Sequence, residues 1–187
     1  MNSAKIMKRN VIRLIVLGLL ATAYLLYFRW NRERIENGPK PQRINCVSNL
    51  KQIGIGFRLW EGDHGDQYPF NLSTNAGGSM ELCVVDKAGF DSNAYLYLRT
   101  MTDELTSPKL LICPHDSTKK AATNWASLQT DNITYHFRSG PNVTETNVNE
   151  VLAVCPIDGN TLYCDGHVTE GNQAGGKKAG RFYSQAE

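Results

Sequence analysis

Apolar residues recur every three or four positions through the stretch from Pro41 to Phe70. The recurring positions are Ile44, Val47, Leu50, Ile53, Phe57 and Trp60, and the polar residues Asn45, Ser48, Lys51, Gln52 and Arg58 lie between them. This spacing predicts an amphipathic helix over about 42–60. Because its apolar face needs cover, we expect the more strand-like remainder of the chain to pack against it.

A second apolar segment lies near the N-terminus. Leu14 to Phe28 is fifteen residues without a charge, and the run extends back to Val11 if Arg13 directs its charge towards lipid headgroups. Tyr24, Tyr27 and Trp30 are placed like residues of an interfacial aromatic belt. Length and flanks therefore predict a transmembrane anchor within residues 1–30.

Two other interpretations of this segment compete with the anchor. A cleaved signal peptide would use Leu14–Leu20 as its apolar core and Ala21-Thr22-Ala23 as its cleavage site. The apolar run continues for five more residues, YLLYF, which favours an uncleaved anchor. A buried core helix is disfavoured because charges flank both ends.

A linker is predicted over 31–41, with a break in helical structure at 37–41. Gly38-Pro39-Lys40-Pro41 disfavours a continuous helix, although Pro41 is also suited to the first turn of the next one. Within that next helix, Gly54 and Gly56 each cost about 1 kcal/mol of helix propensity relative to alanine. We expect packing to offset this cost, or another element to approach closely there.

The remainder predicts an α+β head over 42–170, in which a small antiparallel sheet packs on the long helix, and a flexible tail over 171–187. Ser92 is expected to cap a second helix over about 93–104, with Ala94, Tyr97, Met101 and Leu105 on its inner face. The predicted strands are Leu82–Val85, Lys109–Cys113, Asn132–Phe137, Val151–Cys155 and Thr161–Cys164. Asp165-Gly166 predicts a two-residue hairpin turn with positive φ at both positions.

Charge is distributed unevenly along the 187 residues. Between Lys5 and Arg43 there are nine Lys or Arg and two Glu. From residue 44 onward there are eleven Lys or Arg and sixteen Asp or Glu. A basic flank beside an apolar span is typical of membrane topology and lipid contact. The net charge of +2 is too small to favour a nucleic-acid partner.

The five cysteines are Cys46, Cys83, Cys113, Cys155 and Cys164, and no CxxC occurs. That absence disfavours a zinc ribbon or a thioredoxin-like site. If the head lies outside the cytoplasm, one or two disulfides are reasonable and at least one thiol is left over. Sequence spacing does not choose among the pairings, and simple burial as small apolar residues is the alternative.

Other candidate chemistry is weak. Cys113 with His115 or His136 is the candidate thiol–imidazole pair, but the apolar surroundings of Cys113 favour burial. A metal site built from His64, His115, His136 and His167 lacks ligand spacing. Calcium at Asp63, His64 and Asp66 lacks the EF-hand pattern, so a solvated loop is favoured. Phosphate-binding glycine loops, H-E-x-x-H and G-x-S-x-G are absent. We therefore predict no catalytic residue, no cofactor and no enzyme.

Three phrases together resemble the pilin-like, prepilin-type proteins of planctomycete and verrucomicrobial bacteria, often labelled type II secretion proteins. The phrases are RINCVSNLKQIGIGFRLWEGDHGDQYP, SPKLLICPHD and NTLYCDGHV. The matching positions are Cys46, Asn49, Leu50, Lys51, Gln52, Ile53 and Gly54 in the helix, Cys113 and Pro114 in the second phrase, and Asp165, Gly166, His167 and Val168 in the hairpin. The resemblance implies a pseudopilin-like fold, in which an antiparallel sheet lies across a helical spine that inserts in the inner membrane.

The chain departs from that family in three ways. A prepilin signal of the G-F-T-L-x-E type is missing, and no acidic residue occurs before Arg32. The Gly38–Pro41 break falls where the family's spine is usually continuous. The H-x9-DG pattern would place a histidine ten residues before Asp165, and that position is Cys155. These departures bear on polymerisation more than on fold.

The expected protein is thus a non-enzymatic, single-pass inner-membrane protein with its head in the periplasm. Its expected role is structural or accessory, in a type II secretion or type IV pilus-like assembly, with the lipid bilayer and other pilin-like subunits as partners. The alternative is a tethered or exported extracytoplasmic binding module outside any filament, whose sheet or loops 71–91 and 116–131 recognise a ligand.

Overall fold

The computed structural model describes residues 3–36 and 39–171. Its helices are α1 (Ser3–Glu36), α2 (Pro39–Asp63) and α3 (Ala94–Thr100), and its strands are β1 (His136–Phe137), β2 (Val151–Val154), β3 (Thr161–Tyr163) and β4 (Val168–Thr169). The chain divides into two compact units after Pro41. The second unit has the α+β composition that the sequence predicts.

Helix α1 contains the predicted apolar span. Its segment Ile12–Glu33 has a mean hydropathy of 1.6, and none of it is buried. The helix is therefore long and apolar enough to cross a membrane, as a span or as a signal sequence.

The predicted break at 37–41 is wrong for its last three residues, because α2 begins at Pro39. Residues 37 and 38 lie outside the described residues. Proline is tolerated in the first helical turn, where no intrahelical partner exists for its missing N–H. The prolines therefore start α2 instead of preceding it.

One face of α2 is buried by the head. The buried positions are Cys46, Leu50, Ile53, Phe57 and Trp60, which confirms the predicted stripe from Leu50 onward. Ile44 was placed on the wrong face: it is 60% exposed, while Cys46 takes the buried position in that turn. The predicted close approach at the glycines is confirmed, because a Cβ on Gly56 would lie 2.5 Å from Leu105 Cδ2.

The strands of the described residues form one antiparallel sheet in the order β1-β2-β3-β4. Leu152, Ala153 and Leu162 are fully buried and belong to the same core as the inner face of α2. A bulge between Val151 and Ala153 shifts the register of β2 against β3. Two predicted strands, Val151–Cys155 and Thr161–Cys164, are thus confirmed to within a residue at their ends.

The last hairpin exists, but its turn differs from the prediction. Leu162 pairs with Val168, and the Tyr163 N–H donates to the His167 carbonyl at 3.0 Å, so three residues form the loop. Within that loop only Gly166 has a positive φ, of 86°. A type I turn followed by a left-handed glycine is the usual geometry of three-residue hairpin loops.

Three predicted strands are largely wrong. The segment predicted as strand Leu82–Val85 starts at the last residue of a 3-10 turn, Met80–Leu82. The segment predicted as strand Lys109–Cys113 starts within another 3-10 turn, Pro108–Leu111. In Asn132–Phe137 only the last two residues are strand. At Pro108–Leu111 the Ser107 side chain accepts a hydrogen bond from the Lys109 N–H, and proline occupies the first position of the turn. Both features favour the start of a helix and outweigh the short apolar run.

Helix α3 is shorter than predicted and its cap residue is different. It covers Ala94–Thr100 with Asn93 at its N-terminal cap position, while the Ser92 hydroxyl donates to the Val84 carbonyl. Ala94 and Tyr97 lie on its buried face as predicted. Met101 and Leu105 are also buried, but they follow the helix instead of belonging to it. Around it, an aromatic group fills the centre of the head, consisting of Phe57, Tyr68, Phe70, Tyr97 and Phe137.

Candidate functional site

Three cysteines and one aspartate converge inside the head. We call Cys46, Cys113, Cys155 and Asp158 the thiol cluster, because their sulfur and carboxylate atoms all lie within 4.8 Å of one another. The three cysteines are fully buried. Cys46 lies in α2, Cys113 follows the 3-10 turn at Pro108–Leu111, and Cys155 follows β2.

A tight turn presents Cys155 and Asp158 together. The sequence Cys155-Pro156-Ile157-Asp158-Gly159 folds so that the Asp158 N–H donates to Cys155 Sγ at 3.3 Å. The Gly159 N–H donates to the Cys155 carbonyl at 2.9 Å, and Gly159 has a φ of 70°, which glycine adopts without steric cost. The sulfur and the carboxylate therefore leave the turn towards the same point.

A second Cys-Pro segment is held against α2. The Asn49 side-chain amide donates to the Ile112 carbonyl at 3.2 Å, one residue before Cys113. Beyond Pro114, the Asp116 N–H donates to the Cys113 carbonyl at 2.9 Å and closes a turn. Asn49, one of the residues that carry the resemblance, thus positions the segment that brings Cys113 to Cys46.

Asp158 joins the thiols to an imidazole. The Cys113 thiol donates to Asp158 Oδ2 at 3.3 Å, and His115 Nδ1 lies 2.7 Å from Asp158 Oδ1. The aspartate side chain is only 5% exposed. The carboxylate therefore lies between sulfur and imidazole, whereas a thiol nucleophile needs the imidazole itself at the sulfur. The geometry does not form the Cys113–His115 pair considered for a thiol enzyme.

Two polar side chains border the cluster near Cys46. The Tyr135 hydroxyl donates to Cys46 Sγ at 3.7 Å. The Asn160 side chain is fully buried, and its Nδ2 has no hydrogen-bond partner among the described residues. It lies close to Cys46. A hydroxyl donor thus reaches the Cys46 sulfur, and an amide donor without a partner lies near it.

The three thiols do not titrate alike. Hydrogen bonds from Cys113 and Cys155 lower the pKa of Cys46. Hydrogen bonds with Cys155 and Cys46, together with burial, raise the pKa of Cys113. For Cys155, the bond with Cys113 lowers the pKa, but the bond with Cys46 and burial outweigh it and raise the pKa to about 12. The pKa of Cys46 is thus lowered and those of Cys113 and Cys155 are raised, because the three thiols share hydrogen bonds inside the head.

The other two cysteines lie outside the cluster. Burial raises the pKa of Cys83 and of Cys164 to about 12. The Cys83 thiol donates to the Ser79 carbonyl at 3.4 Å. All five cysteines have free thiols in the structure, so a disulfide among them stays a prediction.

The remaining residues of the resemblance have structural surroundings. Leu50 is buried, Gly54 lies against β3 and the hairpin loop, and Lys51 and Gln52 are exposed on α2. Asp165 accepts from the His167 N–H at 3.0 Å in the hairpin loop. Burial acts to raise the pKa of Asp165, but backbone and side-chain hydrogen bonds from His167 together outweigh it and lower that pKa.

The histidines considered as metal ligands have separate partners. His64 stacks on Trp60 at 3.7 Å between ring centroids, His167 stacks on Tyr163 at 4.2 Å, and His136 packs edge-on to Phe90. Asp66, from the loop considered for calcium, adopts a left-handed φ of 57°. Among the described residues, the candidate metal-binding group consists of the thiol cluster alone.

Apolar side chains are exposed along both long helices of the described residues. In α1 they lie within the span Ile12–Glu33. In α2 they lie on the face opposite its buried stripe, where Ile44, Ile55 and Leu59 are 60%, 58% and 54% exposed. These three positions are eleven and four residues apart and so lie on one side of the helix.

A groove of about 320 Å³ opens on another side of the head. Its lining includes Val84, Val85 and Phe90 from the segment after the 3-10 turn at Met80–Leu82, together with Tyr95 and His136. Val84 and Val85 are exposed. The groove is mostly apolar. None of the four cluster residues lines it, although Tyr135, which borders the cluster, does.

Sequence reasoning missed the thiol cluster as a unit. A signal for it was present: both Cys113 and Cys155 are followed by proline and have an aspartate three residues on. C-x-x-D has the spacing of C-x-x-C with a carboxylate in place of the second sulfur. The absence of C-x-x-C therefore does not exclude a metal site in this chain.

Comparison of the chain with protein-family models, with curated proteins and with solved structures gives no match.

Proposed function

We propose that the chain is a non-enzymatic, single-pass membrane protein with a pilin-like head in the periplasm. Its role is that of a structural or accessory component of a type II secretion or type IV pilus-like assembly. The observation that carries the proposal is the uncovered apolar span Ile12–Glu33. A soluble protein would leave this area in water, at a cost of about 25 cal/mol per Å².

The uncovered face of α2 supports the assembly role. Ile55 and Leu59 lie one turn apart on this face, and Ile44 lies further along it, with Lys51 and Ser48 in between. Such a face is suited to packing against a helix of another subunit. The resemblance of the α2 sequence to prepilin-type proteins agrees with this use.

Photo-crosslinking in membranes tests the assembly role. A photoreactive amino acid at Ile55 of the full chain is expected to crosslink to another pilin-like subunit or to a second copy. The matched control is the same amino acid at Asp131, an exposed residue of a 3-10 turn. Equal crosslinking from both positions, or none from Ile55, would contradict a packed α2 face.

A tethered or exported binding module is the second candidate, and the groove near His136 favours it. Concave apolar surface with a few polar groups is typical of ligand sites. This candidate predicts that the head binds its ligand when α1 is removed, whereas the assembly role predicts that association needs the span. Replacing Val85 with Asp would abolish binding in the groove and leave crosslinking from Ile55 unchanged.

A further inference from the structure

We propose that the thiol cluster binds one Zn²⁺ ion, with Cys46, Cys113 and Cys155 as sulfur ligands and Asp158 as the oxygen ligand. This inference is independent of the membrane role. It rests on the geometry of the four side chains and on the polar groups around them.

The number and the type of donors fit zinc. Structural zinc sites are almost always four-coordinate and combine cysteine sulfur with histidine or carboxylate donors. Thiolate-rich tetrahedral sites select zinc or iron–sulfur clusters, whereas oxygen-only sites select magnesium or calcium. Three sulfurs and one carboxylate oxygen therefore point away from the calcium considered for the 63–66 loop and towards zinc.

The distances fit a single ion. Zinc–sulfur bonds of about 2.3 Å in a tetrahedron place the sulfurs about 3.8 Å apart. The donor atoms of the cluster already lie within 4.8 Å of one another. Binding therefore needs side-chain shifts of about 1 Å or less. The Cys155–Asp158 turn provides two ligands from one rigid segment.

The surroundings supply the outer contacts that metal ligands need. His115 Nδ1 lies 2.7 Å from Asp158 Oδ1, which orients the carboxylate and leaves Oδ2 on the side of Cys113. The Tyr135 hydroxyl donates to Cys46 and the Asp158 N–H donates to Cys155. The Asn160 amide nitrogen is buried close to Cys46 and has no hydrogen-bond partner among the described residues. Such donors stabilise thiolates and fix ligand orientation.

Zinc accounts for more of the cluster than a disulfide does. A disulfide between two of the sulfurs would leave the third thiol buried beside a carboxylate that is only 5% exposed. A zinc ion uses all four groups. Each thiol that still has its proton releases it to water when its sulfur binds the metal. No change of oxidation state is involved.

The ion would tie together three segments that are distant in sequence. It would connect α2 through Cys46, the loop after Pro108–Leu111 through Cys113, and the end of β2 through Cys155. The four strands are two to four residues long, so the sheet contributes few hydrogen bonds. A structural metal is a common means of stabilising such a loop-rich head.

The test measures metal content and ligand type in the full chain purified in detergent under reducing conditions. We expect about one zinc ion per chain by elemental mass spectrometry. Replacement by Co²⁺ is expected to give the charge-transfer absorption of several thiolates in a tetrahedral field. Cys113→Ser is expected to weaken metal binding about tenfold or more, whereas the matched control Cys83→Ser leaves it unchanged.

Three results would overturn the proposal. One is a reduced, folded wild-type chain that takes up neither Zn²⁺ nor Co²⁺. Another is equal loss of metal in Cys83→Ser and Cys113→Ser. The third is a native protein without zinc in which peptide mapping finds a disulfide between two cluster cysteines. The Co²⁺ spectrum of the wild type requires no substitution, so an unfolded variant does not leave the question open.

Discussion

Gly54 on α2 faces Leu162 on β3 with no room for a side chain between them. A Cβ on Gly54 would lie 2.9 Å from Leu162 Cδ1 and 3.3 Å from the backbone Cα of Gly166. Because glycine has no Cβ, the helix can approach the sheet and the hairpin loop closely here. A side chain at this position would hold them further apart. The helix-propensity cost of this glycine is offset by the packing that it allows.

Gly54→Ala is expected to lower the free energy of unfolding by about 1–3 kcal/mol, because the added methyl group overpacks a core that includes backbone. The matched control is Gly62→Ala on the same helix, where a Cβ meets no atom within 4 Å. That control is expected to be neutral or to stabilise by up to about 1 kcal/mol. Urea unfolding of both variants in detergent measures the difference, and equal effects would contradict the close approach.

Phe57 is expected to contribute more to stability than any exposed apolar residue of α2. Its ring lies 5.3 Å from Tyr68 and 6.2 Å from Phe137 between centroids. Phe57→Ala should cost about 3–5 kcal/mol, since it removes a buried ring and leaves a cavity. Leu59→Ala, at a 54% exposed position, should change stability by less than about 0.5 kcal/mol. A large effect at Leu59 on the isolated protein would mean that the head itself covers this face.

Glu61 is expected to make stability fall with rising pH. Burial, and then a hydrogen bond and charge repulsion from Glu145, raise the pKa of Glu61 from 4.5 to about 8. The charge of Arg58 opposes this rise, and the charge of Asp66 adds to it. Between about pH 4.5 and about pH 8, the folded state thus binds more protons at this site than the unfolded state does. Its contribution to stability is complete below the lower value and is lost as the pH rises through the upper one.

The unfolding midpoint of the wild type is therefore expected to decline across this window more steeply than that of Glu61→Gln. Glu81→Gln is the control. A hydrogen bond from Ser73, then one from the Thr74 N–H, lowers the pKa of Glu81 to about 2. Glu81 therefore changes the pH dependence of stability only below about pH 4.5, outside the window of Glu61. Parallel pH profiles for the wild type and Glu61→Gln would refute the assignment.

Asn49→Ala is expected to destabilise the head by about 1–3 kcal/mol, because the Ile112 carbonyl loses its donor. Gln52→Ala is the control, since the Gln52 amide reaches only the exposed Ser48 hydroxyl at 3.3 Å. Chemical unfolding compares the two variants. An Asn49→Ala protein as stable as Gln52→Ala would show that the Asn49–Ile112 bond does not hold the Cys113 segment.

The long-range periodicity of α2 predicts its structure well, whereas short apolar runs do not. Five buried positions recur at intervals of three and four residues, which few other structures produce. Only the first turn was misplaced, where Ile44 lies on the side of Ile55 and Leu59. Runs such as Lys109–Cys113 are too short for periodicity to distinguish a strand from a 3-10 turn. In that segment Ser107 and Pro108 favour the 3-10 turn.

Sequence periodicity cannot predict the thiol cluster, for a different reason. Its cysteines are separated by more than forty residues at each step along the chain, and only the tertiary fold brings them together. The local part, a Cys-Pro turn with an aspartate three residues on, is readable from the sequence. The contribution of Cys46 depends on which face of α2 the head covers.

Whether α1 anchors the head in a membrane is decided by the intact mass and N-terminal sequence of the native protein after membrane fractionation. We expect the unprocessed chain in the membrane fraction, resistant to alkaline extraction. A chain that begins at Tyr24 and is recovered in the soluble fraction would contradict the anchor and leave an exported binding domain.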